Sequence, residues 1–489
     1  MRGLSLSPLH LLSLLLFALL CAGYFAVPLW DSDFWWHIAS GREILHNGIP
    51  SVDPFGVFPA TDAVRNDTVL KGQWLGQVVL YLLFDAGGVN AVIAFRVAVL
   101  MSCLALVWWR CQRHQVNPLA LWLVLVLTAV GMDGFGGERP QLLSFLFAAL
   151  FFAVIDIAER RKDKLRWLAL LPLIAVLWAN SHGGILLAVV LLGLWSSFKL
   201  FDAECGRREK IGWWAATGAV LLATLATPNG LQTYLYLLDL QGSTLQARTS
   251  EYISAFQLYT LGYWWPQFWV VVFYSVTLLA VFRLARQRRW RLLALTVFLA
   301  AIAISSFRYF MFLLIIAAPY IALGLDDILK LPASLAQRYM RPAHLLLSVV
   351  LAGLLVAGIV SDRLFRGGVL QGVYPVAIAD FVSTNKLQGR AFNNLEWGGY
   401  LLWRLAPQVR LFIDGRMLDE ARFPPYTHML WATPQGKQWF EKENFQLVMM
   451  PYHGRYDPQR YPLIDYLLQR PDWRLVYRDT HGVVFVRQK

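Results

Sequence analysis

Long runs of apolar residues, separated by short basic segments, leave this chain few ways to fold. They fall at roughly 11–28, 89–109, 118–132, 141–158, 167–180, 183–201, 211–227, 266–282, 292–305, 310–325 and 345–360. A water-soluble core cannot cover so much contiguous apolar surface, whereas a bilayer about 30 Å thick takes helices of about 20 apolar residues. Composition agrees, with 57% of residues hydrophobic and 15% charged, far from the soluble norm. Residues 1–360 therefore read as a polytopic α-helical membrane domain of about eleven transmembrane helices in a lipid bilayer. The first run, Leu11–Pro28, lacks a convincing small-residue cleavage site and reads as an uncleaved span. The net charge of +13 would also suit a nucleic-acid binder, but the basic residues sit between apolar runs, where they orient helices. No nucleic-acid partner is expected. The four cysteines, Cys21, Cys103, Cys111 and Cys205, have neither metal-ligand spacing nor a disulfide pattern.

Counting every run as one crossing puts Arg110, Arg113, the cluster from Arg160 to Arg166, Lys199 to Lys210, Arg283 to Arg291 and Lys330 to Arg341 on one side. About 19 basic residues then oppose Arg139, Arg248 and Arg308 in the short loops of the other side, so the richer side is the cytoplasm. The N-terminus is then cytoplasmic. The loops at 29–88, 132–141 and 228–265, and the segment 361–489, face the periplasm of a bacterial inner membrane.

Two runs are short. A helix of about 14 residues rises only about 21 Å, so those at 167–180 and 292–305 should turn below the outer surface. Their tips are polar, Asn180-Ser181-His182-Gly183-Gly184 and Ser305-Ser306-Phe307-Arg308-Tyr309. Irregular polar backbone at membrane depth suits a cavity wall. Arg308 is placed to fork onto a lipid phosphate with His182 beside it, and Arg96 is a weaker candidate of the same kind; each also suits snorkelling or loop-carbonyl bonding.

From about residue 361 the pattern becomes globular. Helices are expected at 376–384, 397–405, 434–442 and 460–469, and strands at 390–393, 410–413, 446–450, 474–477 and 483–486, which makes a small α/β domain over 361–489. Asn393 and Glu396 follow one strand, Asp414 and Arg416 the next, at the crest where α/β sheets bind ligands. The same residues also suit caps and turns.

The strongest constellation follows the first span: Trp30-Asp31-Ser32-Asp33-Phe34-Trp35-Trp36-His37, then Gly41-Arg42 and Asp53-Pro54-Phe55. Paired carboxylates at the exit of a membrane helix suit a base or a metal site where a lipid headgroup would lie. They equally suit a solvated cap among anchoring tryptophans. The three glycines of loop 132–139 suit a flexible turn in which Asp133 and Glu138 are solvated charges.

An acidic motif after the first helix, a long first outer loop with amphipathic stretches (Phe34–Asn47 and Gln73–Phe84), many spans and a C-terminal outer domain together resemble the GT-C superfamily of integral-membrane glycosyltransferases. More narrowly, Asp31–Gly41, Arg139-Pro140-Gln141, Trp178–Gly184, Pro228-Asn229-Gly230, Asn393–Tyr400 and Phe412–Arg416 look like segments of a bacterial GT-C-like set related to protein O-mannosyltransferases, aminoarabinose transferases and oligosaccharyltransferase catalytic subunits. The resemblance implies transfer of a sugar from a polyprenyl phosphate-linked donor to an acceptor on the periplasmic side. By position it assigns catalysis to Asp33 or Asp31, with Asp33 favoured. Some members of the superfamily place further acidic residues in the second outer loop, and that resemblance implies a possible divalent-metal site of Asp133 and Glu138 with Asp33. Donor-phosphate binding falls to Arg308, His182 and Arg96, and acceptor or sugar contact to His37, Asn180, Asn393, Glu396, Asp414 and Arg416. A membrane transporter and a non-catalytic polysaccharide-assembly subunit are the alternatives; the chain has no convincing internal repeat of the kind transporters show.

Overall fold

The structure, a computed structural model, describes residues 8–56, 63–132, 137–161, 163–239, 253–254, 256–257, 264–416, 418, 420–454 and 459–488. The helices of the first half are α1 (Pro8–Phe25), α2 (Phe34–Asn47), α3 (Ala63–Lys71), α4 (Trp74–Arg113), α5 (Pro118–Gly131), α6 (Gln141–Arg160), α7 (Lys164–Leu168), α8 (Leu170–Ser181), α9 (Ile185–Leu200), α10 (Arg207–Ala223) and α11 (Gln232–Asp239). Each of the apolar runs falls on a helix. Among the described residues six helices are long and apolar enough to cross a membrane: Pro8–Phe25, Trp74–Arg113, Gln141–Arg160, Phe268–Arg286, Phe307–Leu325 and Arg338–Val360. Three more, Pro118–Gly131, Ile185–Leu200 and Trp290–Ser305, are apolar but shorter. The other two runs lie on the 12-residue α8 and on α10, whose first turn is charged. The chain is thus a multi-pass membrane protein, with full-length spans fewer than the apolar runs.

α4 is broken at Gly87–Gly88, where Gly88 takes φ 62°, a conformation that side chains resist. The break separates the amphipathic stretch expected at Gln73–Phe84 from the apolar run that follows. Arg110, near the end of α4, is not in a basic loop as counted above: it is fully buried, with Nε 2.6 Å from Asp156 Oδ2. Lys199 is likewise buried, 3.0 Å from Glu159. In an apolar bundle each of these cations is tolerated because a carboxylate meets it.

α1 and the helix Ala333–Val360 run side by side in the same direction. His10 and Ser13 bond to His344 and Ser348 near one end. At the other, Phe365 N–H donates to the Gly23 carbonyl, Arg366 N–H to Ala26, and Leu29 bridges Val369 in parallel register. The acidic loop and the C-terminal segment therefore leave the bundle on one face.

That segment holds a five-stranded sheet, β1 (Gly389–Asn393), β2 (Val409–Leu411), β3 (Leu447–Pro451), β4 (Trp473–Arg478) and β5 (Gly482–Arg487), in the order β2-β1-β3-β5-β4. β1 pairs parallel with β2 and β3, and β5 pairs antiparallel with β3 and β4. The crossover helix Leu395–Leu405 joins β1 to β2 and packs on α2. One apolar core joins Leu29, Phe34, Trp35, Ile38 and Tyr81 to Tyr374, Ile378, Trp397, Leu401 and Met449. The first outer loop and the sheet are thus buried against each other, a union that the expected boundary at 360/361 does not show.

Candidate active site

Leu29 is pinned between the Gly368 carbonyl and the Leu370 N–H, which delivers the next residues to the sheet's crest. The Asp31 side chain is 2% exposed and its two oxygens do different work. Oδ1 accepts the Asp33 N–H at 3.0 Å, and Oδ2 accepts Arg139 Nε at 2.6 Å. Asp33, 21% exposed, has Oδ2 3.2 Å from Arg139 Nη2. One guanidinium thus holds both carboxylates. The fit depends on glycines: a Cβ at Gly137 would stand 2.2 Å from Asp31 Oδ2, one at Gly415 2.2 Å from Asp33 Oδ1, and one at Gly399 2.6 Å from the Ser32 carbonyl.

Behind this pair lies a second one. Glu138 and Arg96, both buried, form an ion pair, and Arg96 also donates to the Val27 carbonyl. Burial pushes the Glu138 carboxyl up to about 7, with Arg96 pulling down and Asp31 pushing further up. Arg96 is thereby committed to protein partners. Asp133 lies outside the described residues, and among the described residues no group of three His, Cys, Asp or Glu side chains stands ready for a metal ion. An arginine engages one oxygen of each described carboxylate, Asp31 Oδ2, Asp33 Oδ2 and Glu138 Oε1, and the other Asp31 oxygen accepts the Asp33 N–H, so a divalent ion bridging Asp31 and Asp33 through these oxygens would have to displace Arg139.

His182 closes the end of α8. Trp178 Nε1–H donates to Ser144 Oγ at 2.7 Å, the Ser144 hydroxyl donates to His182 Nδ1 at 2.8 Å, and Gly184 N–H donates to the same nitrogen at 3.1 Å. With Nδ1 an acceptor twice over, the proton of the neutral ring sits on Nε2. Burial, Arg308 and Arg139 together push the His182 pKa down to about 3, so the ring offers an N–H without a positive charge. His37, buried beside Trp36, is held well below the usual histidine range by burial, Arg139 and His182. Arg308 stands on the turn Phe307–Tyr309, whose first N–H donates to the Ile253 carbonyl at 3.0 Å. Asn180 is engaged by the protein: its oxygen accepts Trp74 Nε1–H at 2.7 Å and its amide donates to Val176 and Ala226.

The arrangement of these elements matches solved structures. An oligosaccharyltransferase from Archaeoglobus fulgidus, tethered to an acceptor peptide containing the NVT sequon, is similar with a TM-score of 0.57 and 12% identity over 91% of this chain and 69% of that one. ArnT from Cupriavidus metallidurans is similar in the apo state, with a TM-score of 0.54 and 14% identity over 98% and 96% of the two chains. The same protein bound to undecaprenyl phosphate gives a TM-score of 0.51 and 13% identity over 97% of each. This chain has the GT-C fold. No family model and no curated protein matches the sequence.

In this chain the crest of the sheet abuts the acidic loop. Asn393, fully buried, donates to the Ile413 carbonyl at 2.7 Å and accepts from Phe412 N–H at 3.0 Å, clamping β1 to the loop after β2. Arg416 is gripped by Asp53 at 2.6 Å and Asp414 at 2.7 Å. Burial raises the Asp414 carboxyl, but Arg416 outweighs it and holds Asp414 below the usual range. Asp414 and Arg416 bind each other and Asn393 binds the neighbouring backbone, while Glu396 is exposed beside the Asn394 cap. Asp31, Asp33, His37 and His182 gather around Arg139 through direct contacts and the field it exerts. Sequence reading passed over Arg139 and Ser144 as site residues. The signal for Arg139 was its isolation, a lone arginine in an outer loop just before Pro140. Ser144 left none, since one serine on an apolar helix is unremarkable.

Proposed function

We propose that this chain is a glycosyltransferase that moves a sugar from a polyprenyl phosphate-linked donor to an acceptor at the periplasmic face of a bacterial inner membrane. The observation that carries this reading is the Asp31–Arg139–Asp33 cluster at the exit of α1, in a fold shared with an ArnT bound to undecaprenyl phosphate. Asp33, the more exposed carboxylate, accepts the acceptor's O–H proton as that oxygen attacks the anomeric carbon. The bond from that carbon to the phosphate oxygen breaks, and polyprenyl phosphate leaves with its electron pair. Arg308 offsets the phosphate charge, and the His182 Nε2–H donates a hydrogen bond without adding a cation. Asp31 holds the Asp33 backbone and the arginine, and so acts as a positioning residue.

The test is incubation of the purified protein in lipid with labelled polyprenyl phosphate sugars. Labelled product and released polyprenyl phosphate are expected from wild type and not from Asp33→Asn. Folded wild type that turns over no donor in such a panel, or an Asp33→Asn variant of undiminished rate, contradicts the assignment.

A further inference from the structure

We infer that Arg139 fills the cation seat between the two aspartates, so that this acidic pair works without a bound divalent metal. This rests on the reading of Asp31 and Asp33 as the reacting centre. One guanidinium meets Asp31 at 2.6 Å through Nε and Asp33 at 3.2 Å through Nη2. A divalent ion bridging the same carboxylates, at about 2.0–2.6 Å, would have to compete at Asp31, both of whose oxygens are engaged. Among the described residues the third carboxylate nearby is Glu138, whose Oε1 is held by Arg96, which also holds the Val27 carbonyl. Two guanidiniums that do not deprotonate therefore offset three carboxylates.

The seat is built for an arginine. Gly137 lets the backbone close to where a Cβ would lie 2.2 Å from Asp31 Oδ2. Arg139 N–H donates to the Gly137 carbonyl at 2.9 Å, and the Arg139 carbonyl accepts Leu142 N–H at 3.0 Å in the first turn of α6. Pro140, next in the chain, packs so closely on Gly76 that a Cβ there would stand 2.6 Å from it. Both ends of the arginine's backbone are thus fixed, and the fork is aimed at the aspartates before substrate arrives. Arg139 is a positioning residue that keeps Asp33 oriented.

Titration of the full chain in nanodiscs with Mn2+, followed by electron paramagnetic resonance, tests this without reference to activity. Wild type is expected to show no Mn2+ site that Asp31→Asn removes. Arg139→Ala, which leaves two carboxylates facing a gap, is expected to gain one such site per chain, lost again in Arg139→Ala/Asp31→Asn. Arg139→Gln, which keeps hydrogen-bonding capacity, serves in the same titration if the alanine variant does not fold. A wild-type Mn2+ site abolished by Asp31→Asn or Asp33→Asn overturns the inference, as does the absence of any gain in the folded Arg139 variant. If sugar transfer is observed, EDTA should leave its rate within about twofold; loss restored by Mn2+ would overturn the inference while upholding the transferase. If no donor is turned over, the titration still decides it.

Discussion

Asp33 and Asp31 are chemically alike and separated by exposure and partners: one reaches the open side of the cluster, while the other is 2% exposed with both oxygens engaged. Loss of a positioned base costs about 100- to 10,000-fold in rate, so Asp33→Asn should lower transfer by that order. Asp31→Asn should cost less, because an asparagine oxygen still accepts the Asp33 N–H; steady-state rates of the two variants in one lipid decide the ranking. Ser144→Ala should leave the Trp178 N–H and His182 Nδ1 poorly partnered, at about 1–3 kcal/mol. A ring free to change tautomer should then weaken donor affinity more than it slows folding, which binding of a polyprenyl phosphate to folded Ser144→Ala measures. His37 and His182 also make stability depend on pH. Their folded pKa values lie below the ordinary 6.5, that of His182 at about 3, so between those limits the unfolded chain holds more protons. Their contribution is full above about pH 6.5 and is lost as pH falls toward 3. The melting temperature in detergent should drop between about pH 7 and pH 5, and less steeply in His182→Gln.

Among the elements, Phe307–Leu325 is the most constrained helix. It widens into a π turn at Leu313–Ala317, and Arg110 Nη1 donates to the Ile315 and Ile316 carbonyls at 3.1 and 3.0 Å. Asp156 then neutralises an arginine that is fully buried. Arg110→Met should destabilise by about 3–5 kcal/mol because Asp156 is left buried and unmatched. Arg110→Met/Asp156→Leu should recover part of that, a comparison that thermal melting of both variants makes. This pairing also shows where sequence reading stopped. Apolar runs were legible because lipid demands contiguity, and strands β1 to β5 came within a few residues because their alternation and flanking turns are local. The helix Phe423–Leu430 was missed, although prolines suit a first helical turn. Arg110 and Lys199 were counted as loop cations because position along a chain does not reveal a carboxylate on a neighbouring helix. Asn393, Asp414 and Arg416 were legible as residues at the crest, but the Asp414–Arg416 pairing and the Asn393 clamp on the backbone of Phe412 and Ile413 were not. The convergence on Arg139 joins segments more than 100 residues apart, a separation no periodicity reports.

For the molecule as a whole, the parallel course of α1 and Ala333–Val360 puts the acidic loop and the C-terminal sheet on one face, and a shared core around Trp35 and Tyr374 packs them together. Reporters at Asn47 and after Lys489 should therefore report the same compartment, expected from the basic loops to be the periplasm, and a reporter after Arg289 should be cytoplasmic. A cytoplasmic signal at Lys489 would invert the chain and remove the acidic pair from the periplasmic donor. Gly399→Ala should act at this scale too, since its methyl would meet the Ser32 carbonyl at 2.6 Å and prise the sheet from the loop. The most direct measurement is a cryo-EM structure of the full chain in nanodiscs with a polyprenyl phosphate. Phosphate density between Arg308 and His182, with Asp33 facing the position of the sugar's anomeric carbon, is the expected result. Lipid phosphate bound away from that cluster while Asp33 faces only protein would contradict the account.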